Sequence, residues 1–491
     1  MPTLYDLHAI PFSLDGAGML SVEDAAALAA YDDAAISSGG LAYVQTYRDY
    51  FQKVPGAVPA LTSTTIPTAS GDGGWYRLVG MASPTWVEQA SWYIDGVDGD
   101  DEGSGAIAEP LLTHDEFMRR LGKNPLTRDL AVNFVDAFTG DFSHVMDAGQ
   151  QRGYSVLYKG PDLSARTAIY TETFASFAAI SRLLTGERTN FLSVLDDATW
   201  ATYVGKIVLV TVAADPAVVG AYAFVQGVAA GDDTTVYTTP FTKASPSSVD
   251  STIVNPADGD TYVVVDLLGA DLDSFFVSTR ERLSTVAESS VQFQNLALGL
   301  SRSALIADGT VAFFSCTYDG GFTVGGTGDV ETWSCMLTSD TAVADSGNLT
   351  LSAVFMNGDY GDTLNLTVDS PDARLTIDSD SILSGPDALI AVNQGNLTLS
   401  NFGAYDTAND IVTLGLGTNA IVDGYVYGES NTEHFFVLGS GSRVITTNIG
   451  LLADTTAENV SFGDVVTQNW GGLPFIANAL ITDSQAAWIN G

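Results

Sequence analysis

"FFSCTYDGG" (residues 313–321) and "TWSCMLTSD" (332–340) set the same Ser-Cys pair 19 residues apart, each directly after an aromatic residue. Shorter pieces of one kind follow: "NLTLS" (348–352), "NLTVDS" (365–370), "RLTIDS" (374–379) and "NLTLS" (396–400), at spacings of 17, 9 and 22 residues. Short apolar runs punctuated by Gly, Asn and Asp, with no helical periodicity, read as strands joined by turns. A loose repeat of roughly 20 residues built this way is the pattern of a parallel β-helix. Each coil cannot bury its inner face without a neighbour, so the coils must stack. An antiparallel sandwich also has short strands, but it has no reason to repeat Ser-Cys and Leu-Thr pieces. The expected body is therefore a parallel β-helix over 291–491. Cys316 and Cys335 are expected to stack in adjacent coils as small core residues. No third or fourth soft ligand accompanies them, as a zinc site would require.

Composition fits a large β protein. The 491 residues are 46% hydrophobic and 16% charged, with 49 glycines, which excludes a disordered chain. Fifty-nine acids face 19 Lys plus Arg, for a formal charge of −40. That balance argues against nucleic acid and anionic membrane as partners, both of which need basic patches; its plainest role is solubility. From Ala304 onward the only basic residues are Arg374 and Arg443. Two cysteines make no disulfide framework. The start, "MPTLYDLHAIPFSLDGAGML", lacks the basic and apolar regions of a signal peptide, so synthesis in a cytoplasm is expected. The most apolar stretch, 207–225, is broken by Asp215-Pro216 and alternates like a strand, so no membrane insertion is expected.

Upstream, residues 1–90 read as a separate small unit. Ser21, with Glu23 and Asp24 after it, predicts a helix through "VEDAAALAAYDDAAISS", and "GGWYRLVG" predicts a strand. Residues 91–152 hold the strand "SWYI", the acidic loop "DGVDGDDEGSG" (95–105) and a short helix. In that helix Thr113 and Glu116 form a capping-box pattern, and Phe117, Met118 and Leu121 share a face. Over 153–290, "KIVLVTVA", "AYAFVQGVA", "TTVYTTPF" and "DTYVVVDLL" follow one another like hairpins, as expected of an inserted β-subdomain.

Candidate chemistry is sparse. Asp98, Asp100, Glu102, Gly103 and Glu109 match the spacing of a calcium loop, but Glu replaces the usual third ligand and a strand precedes the loop where a helix is required. His8, His114, His144 and His434 occupy no zinc spacing. A β-helix can carry a glycosidase pair of carboxylates; Asp359, Asp362, Asp369, Asp378 and Asp380 are candidates, set against the plain role of acids in turns. Trp333, Tyr360, Trp470 and Trp488 are candidates for stacking on sugar rings, set against covering coil ends or subunit contacts. No residue is assigned as catalytic, cofactor-binding or metal-binding, and no cofactor is expected.

The stretch "WYIDGVDGDDEGSG…EPLLTHDEFMRRLG" (92–122) resembles the opening segment of pectate-lyase-like β-helices in tailspikes and fibres of tailed phages. Such segments run from a strand through a G-x-D-x-x-x-G loop and a Pro-x-x-Thr to a helix. Here these positions fall on Gly99, Asp101, Gly105, Pro110, Thr113 and the helix from His114. "GWYRLVG…PTWVEQASWYID" upstream, "DDATWATYVGKIVLVTVA" and "STIVNPADGDTYVVVDL" are similar to other pieces of such virion proteins. The resemblance implies a right-handed β-helix, a homotrimer, and an N-terminal part that docks on other virion proteins. It implies that the acidic loop is a cap turn beneath a lid helix. It implies a virion spike or fibre that contacts the host surface. This chain departs from enzymatic tailspikes in offering no identifiable acidic pair with basic support, so a non-catalytic spike is expected; the alternative is a depolymerase acting on host polysaccharide. A cellular adhesin is a third class, and the missing export signal weighs against it.

Overall fold

The computed structural model describes residues 13–14, 17–18, 20–22, 25–30, 41–44, 49–58, 65–77, 90–121, 126, 128–147, 154–178, 189–228, 235–244, 251–280, 290–300, 304–319, 321–357, 364–379, 381–405, 407–408, 410–429, 436–438, 442–454, 479–481 and 487–490. The chain divides into two compact units, 1–136 with 149–154, and 137–148 with 155–491.

In the first unit a five-stranded sheet closes on a core of Leu28, Ala42, Val44, Phe51, Ile66 and Trp75. The expected helix starts later, with Ala25–Ala30 described as helical, and residues 31–40 lie outside the described set. Ser21 is not its cap. It sits in the strand Leu20–Val22, which pairs in parallel with Leu41–Val44. Leu20 and Val22 bracket Ser21 in strand alternation, and sheet pairing outweighs the local capping preference. Further along, Ser91–Ile94 pairs in parallel with Leu130–Phe134. The helix His114–Leu121 lies between them in sequence and buries His114, Phe117 and Leu121.

The second unit is dominated by parallel pairing. From Leu268 to Asn490 every pairing between described strands is parallel, each strand bonding to one a repeat further along. The Leu-Thr pieces that carried the repeat now have a physical role. Leu349 and Leu351 stand beside Leu375 and Ile377, which stand beside Leu397 and Leu399, all at most 1% exposed. The Asn, Arg and Thr residues between them take the outer positions. Inside the first repeats the stack is aromatic: Phe142 on Phe275, and Tyr158 on Phe293 on Phe313, with centroids 5.0 to 5.3 Å apart and planes within 18°.

A bend recurs at one register position. Asn295, Ser315, Ser334, Ala353, Ser379 and Asn401 all hold φ between 49° and 57°. Each immediately follows a strand residue that is paired or in line with the next. The amides of Asn295, Ser315, Ser334 and Ala353 each donate to a carbonyl of the following repeat, at 3.0 to 3.3 Å. Asn tolerates this left-handed backbone, and a serine hydroxyl can bond locally there. The Ser-Cys pairs are this bend followed by an inward residue: Cys316 and Cys335 are fully buried and free, and the Cys316 amide donates to Cys335 Sγ at 3.5 Å.

Between the ladder strands Val156–Lys159 and Leu268–Arg280 the chain builds an antiparallel sheet. It includes Ile207–Val212, Tyr222–Val228, Thr235–Thr238 and Thr261–Val265, the four hairpin-like strands seen in the sequence. One face packs an aromatic core around Phe174, Phe191, Trp200 and Tyr262. The other lies on the outside of the ladder, where Ile207, Leu209, Tyr222, Phe224 and Val265 meet Met336, Phe355, Ile382 and Tyr405. This cover is why Phe355–Asn357 and Ser381–Ser384 are buried at every position. Two bends anchor it: Ser315 Oγ donates to Tyr222 Oη at 2.5 Å, and the Ser334 and Thr242 hydroxyls are 2.7 Å apart.

Candidate functional site

Three carboxylates of the acidic loop, those of Asp95, Asp100 and Asp101, are spent on backbone amides. Asp95 accepts from the amides of Val97 and Asp98, and Asp100 from that of Glu102. Asp101 accepts from the amides of Leu112 and Thr113 and from the Thr113 hydroxyl, at 2.7 to 3.0 Å. Thr113 in turn accepts from the Glu116 amide at 3.2 Å, half of the expected capping box. The other half is replaced: Glu116 pairs with Arg119 and Arg120, while Arg120 donates to the carbonyls of Gly103 and Asp101 at 2.6 Å. Burial pushes the Glu116 carboxyl up, but the two guanidiniums together outweigh it and hold the group below its ordinary value. Gly105 has φ 77°, and a Cβ there would lie 2.5 Å from the Trp92 ring. Gly103 has no such φ; a Cβ on it would meet the Glu109 carbonyl at 2.8 Å. Among the described residues no group of three or more His, Cys, Asp or Glu stands ready to hold a metal ion.

The other sequence candidates are dispersed. Asp369 is exposed and accepts from Asn393 Nδ2 at 2.7 Å, whereas Asp378 is held by the Ser352 hydroxyl. They occupy different columns of the ladder, Asp369 beside Gln394 and Asp378 beside Ser352. Trp333 sits half-buried at an outward position between Phe314 and Ser352. His144 is fully buried, its Nδ1 2.8 Å from Tyr158 Oη, and burial lowers its pKa to about 3. His114 is buried at the start of its helix. Asp359, Asp362, Asp380, Tyr360, Trp470, His8, His434 and the side chain of Trp488 lie outside the described residues.

A cleft of about 620 Å³ opens where the antiparallel sheet stops covering the ladder. Its floor is the outward face of three successive strands. Gly269 pairs with Ala297 and Ala297 with Thr317; Asp271 pairs with Gly299 and Gly299 with Asp319. Small residues keep the floor low, and the two carboxylates stand in one column with a glycine between them. Two ladder steps separate their Cα atoms by about 9–10 Å. A Cβ built on Gly299 meets nothing nearer than Asp271 Oδ1 at 3.6 Å. Asp271 makes no hydrogen bond or ion pair among the described residues, and Asp319 has only a long contact, 3.4 Å from Ser339 Oγ.

The opposite wall carries the cations, both engaged. Lys206 Nζ is 2.6 Å from Asp266 Oδ1, and Arg166 donates to the carbonyls of Asp266 and Leu267 at 2.9 and 3.1 Å. Arg166 thereby joins the point where the chain leaves the ladder to the point where it returns. This pair of acids spans the edge of the repeat body expected over 291–491, because Asp271 precedes it. Asp271 and Asp319 are 48 positions apart, and only the register aligns them. The available signal was a pair of Gly-containing turn-like pieces, "LGAD" and "LALG", 28 residues apart.

No family model matches the sequence, and no curated protein matches it. Among solved structures it is similar to XylC in complex with xylose, at TM-score 0.31 and 9% identity over 74% of this chain and 69% of that one. It is also similar to the Pseudomonas phage phi297 tailspike gp61, at TM-score 0.21 and 12% identity over 67% and 64%. A third is the Gp54 tailspike of Acinetobacter baumannii bacteriophage AP22, solved with A. baumannii capsular saccharide, at TM-score 0.17 and 12% identity over 74% and 71%. All three likenesses are weak. Among the described residues no helix is long and apolar enough to cross a membrane.

Proposed function

We propose that this chain is a saccharide-binding spike or fibre of a tailed-phage virion. On this proposal the parallel ladders wind as a right-handed β-helix, with 291–491 as its body, 91–152 as its cap loop and lid helix, and 153–290 as an inserted subdomain. Three chains assemble as a homotrimer, made in the host cytoplasm, and residues 1–90 attach it to other virion proteins. The host surface carbohydrate lies in the cleft. One observation carries this: a floor of Gly269 and Ala297 set between a wall bearing Arg166 and Lys206 and the Asp271–Gly299–Asp319 column. Such a trough accepts a flat, hydroxylated chain and offers carboxylate acceptors to its hydroxyls.

Gly299→Trp tests it, since the space above Gly299 admits a side chain without disturbing the ladder. Adsorption of the purified spike to a panel of bacterial surface polysaccharides is expected for the native chain and lost in the variant, with the melting temperature unchanged. Equal adsorption by both proteins would remove the cleft from the proposal.

A second function is favoured by the Asp271–Gly299–Asp319 spacing. Inverting glycosidases hold their carboxyls roughly 6.5–9.5 Å apart, leaving room for a water. A general acid on one carboxylate and a base on the other would cleave a glycosidic bond lying over Gly299. Release of reducing ends that disappears in both Asp271→Asn and Asp319→Asn, with binding retained, would establish this activity. Binding without any release would leave the spike non-catalytic.

A further inference from the structure

The two basic residues after Ala304 are 69 positions apart in sequence, yet they fall in one column of the ladder. Arg374 pairs with Asn396, Asn396 with Asn419, and Asn419 with Arg443. Two residues along the same strands runs a second outward column, Thr376, Thr398, Ile421 and Ile445. These eight positions hold two cations and no acid, in a chain with 59 acids and 19 bases. On one side Asp378 and Asp423 stand four residues from the column, about 13 Å away; on the other, Asp372 and Asp369 precede Arg374 in its own strand by two and five residues.

The described polar groups of this column, those of Arg374, Asn396 and Asn419, are also unspent. Just before it, Asp329 and Asn348 satisfy each other at 2.8 Å. Arg374 is exposed, and its guanidinium makes no hydrogen bond or ion pair among the described residues, even with Asp372 two positions away. The half-buried amides of Asn396 and Asn419 likewise have no side-chain partner there. Beside them Ile421 is 41% exposed, an apolar shelf in line with two threonines.

We infer that this column binds a carboxylate-bearing polysaccharide, laid along the stacking direction of the ladder. Arg374 takes a sugar carboxylate through its planar fork. Asn396 and Asn419 bond the hydroxyls of the next residues, and Ile421 supports a ring face. Two ladder steps, about 9–10 Å, separate Arg374 from Asn419, so the ligand must be a polymer or oligomer rather than a single sugar. A nucleic acid is disfavoured, because its dense charge meets only two cations against a net −40. The site rests on the carbohydrate-binding function proposed above but lies apart from the cleft.

The test is adsorption of the full chain to polygalacturonate, alginate and hyaluronate, with fully methyl-esterified polygalacturonate as the uncharged control. The native chain is expected to bind at least one of the three acids, more weakly as salt rises, and to ignore the ester. Arg374→Gln is expected to weaken that binding about tenfold or more, and undiminished binding by this variant would overturn the column. Binding of neutral polysaccharides alone, lost only in Gly299→Trp, would overturn the column while keeping the cleft. Absence of binding to any polysaccharide would overturn both. A shift of Arg374→Gln from trimer to monomer, without change in adsorption, would make the column a contact between copies and overturn the glycan site.

Discussion

Asp101 concentrates the order of the acidic loop in one carboxylate. It takes two amides and a hydroxyl just ahead of a helix start, where backbone donors have no partner of their own. Asp101→Ala is expected to cost about 2–3 kcal/mol and Thr113→Ala about 1 kcal/mol, read by urea denaturation. Gly105→Val meets both the φ of 77° and the Trp92 ring, so a fall in soluble yield is expected; a native yield would show that the loop has another conformation available. His144 gives a pH signature. Its folded pKa lies near 3, below the value of about 6.5 in an unfolded chain. The unfolded state therefore binds the extra proton, and stability falls as pH drops from about 6.5 towards 3, by up to about 1.4 kcal/mol per unit. His144→Phe should flatten that part of the stability profile, and an unchanged slope would place the effect on carboxylates such as Glu116.

At the scale of elements, the antiparallel sheet is held to the ladder by an apolar face and by two hydroxyl contacts. Phe355→Ala is expected to cost about 3–5 kcal/mol if the sheet stays docked. Tyr222→Phe and Ser315→Ala should show a coupling of about 1 kcal/mol in a double-mutant cycle; additive costs would mean that the short Tyr222–Ser315 contact contributes nothing. These contacts mark what the sequence could and could not disclose. The alternation of "NLTLS" and "RLTIDS" disclosed which leucines face inward, because period two is a local property. The Ser-Cys repeat disclosed a recurring corner, since the same backbone bend calls for the same small residue. "SILS" and "FMN" could not be placed, because their second buried face is supplied by residues 90 or more positions earlier. The Asp271–Asp319 column was hidden for the same reason: nothing local distinguishes an acid over a cleft from an acid in a turn. The Ser21 helix start failed because tertiary pairing decided between strand and cap.

For the molecule as a whole, strands far outnumber helical residues among those described. Far-UV circular dichroism of the purified chain is expected to be dominated by β signal, and a helix-rich spectrum would contradict the fold. Imaging of the purified chain and of intact virions addresses assembly: an elongated trimer docked through residues 1–90 is expected, and a compact monomer absent from any particle would remove the spike. The stacked left-handed bends have a consequence for how such a chain diversifies. Their intervals are 20, 19, 19, 26 and 22 residues, so the corners stay in line while the lengths between them differ. Insertions and deletions can therefore accumulate in the stretches between corners without shifting the register of the core. A lineage of such proteins could remodel the surface between the corners, repeat by repeat, and keep the same scaffold.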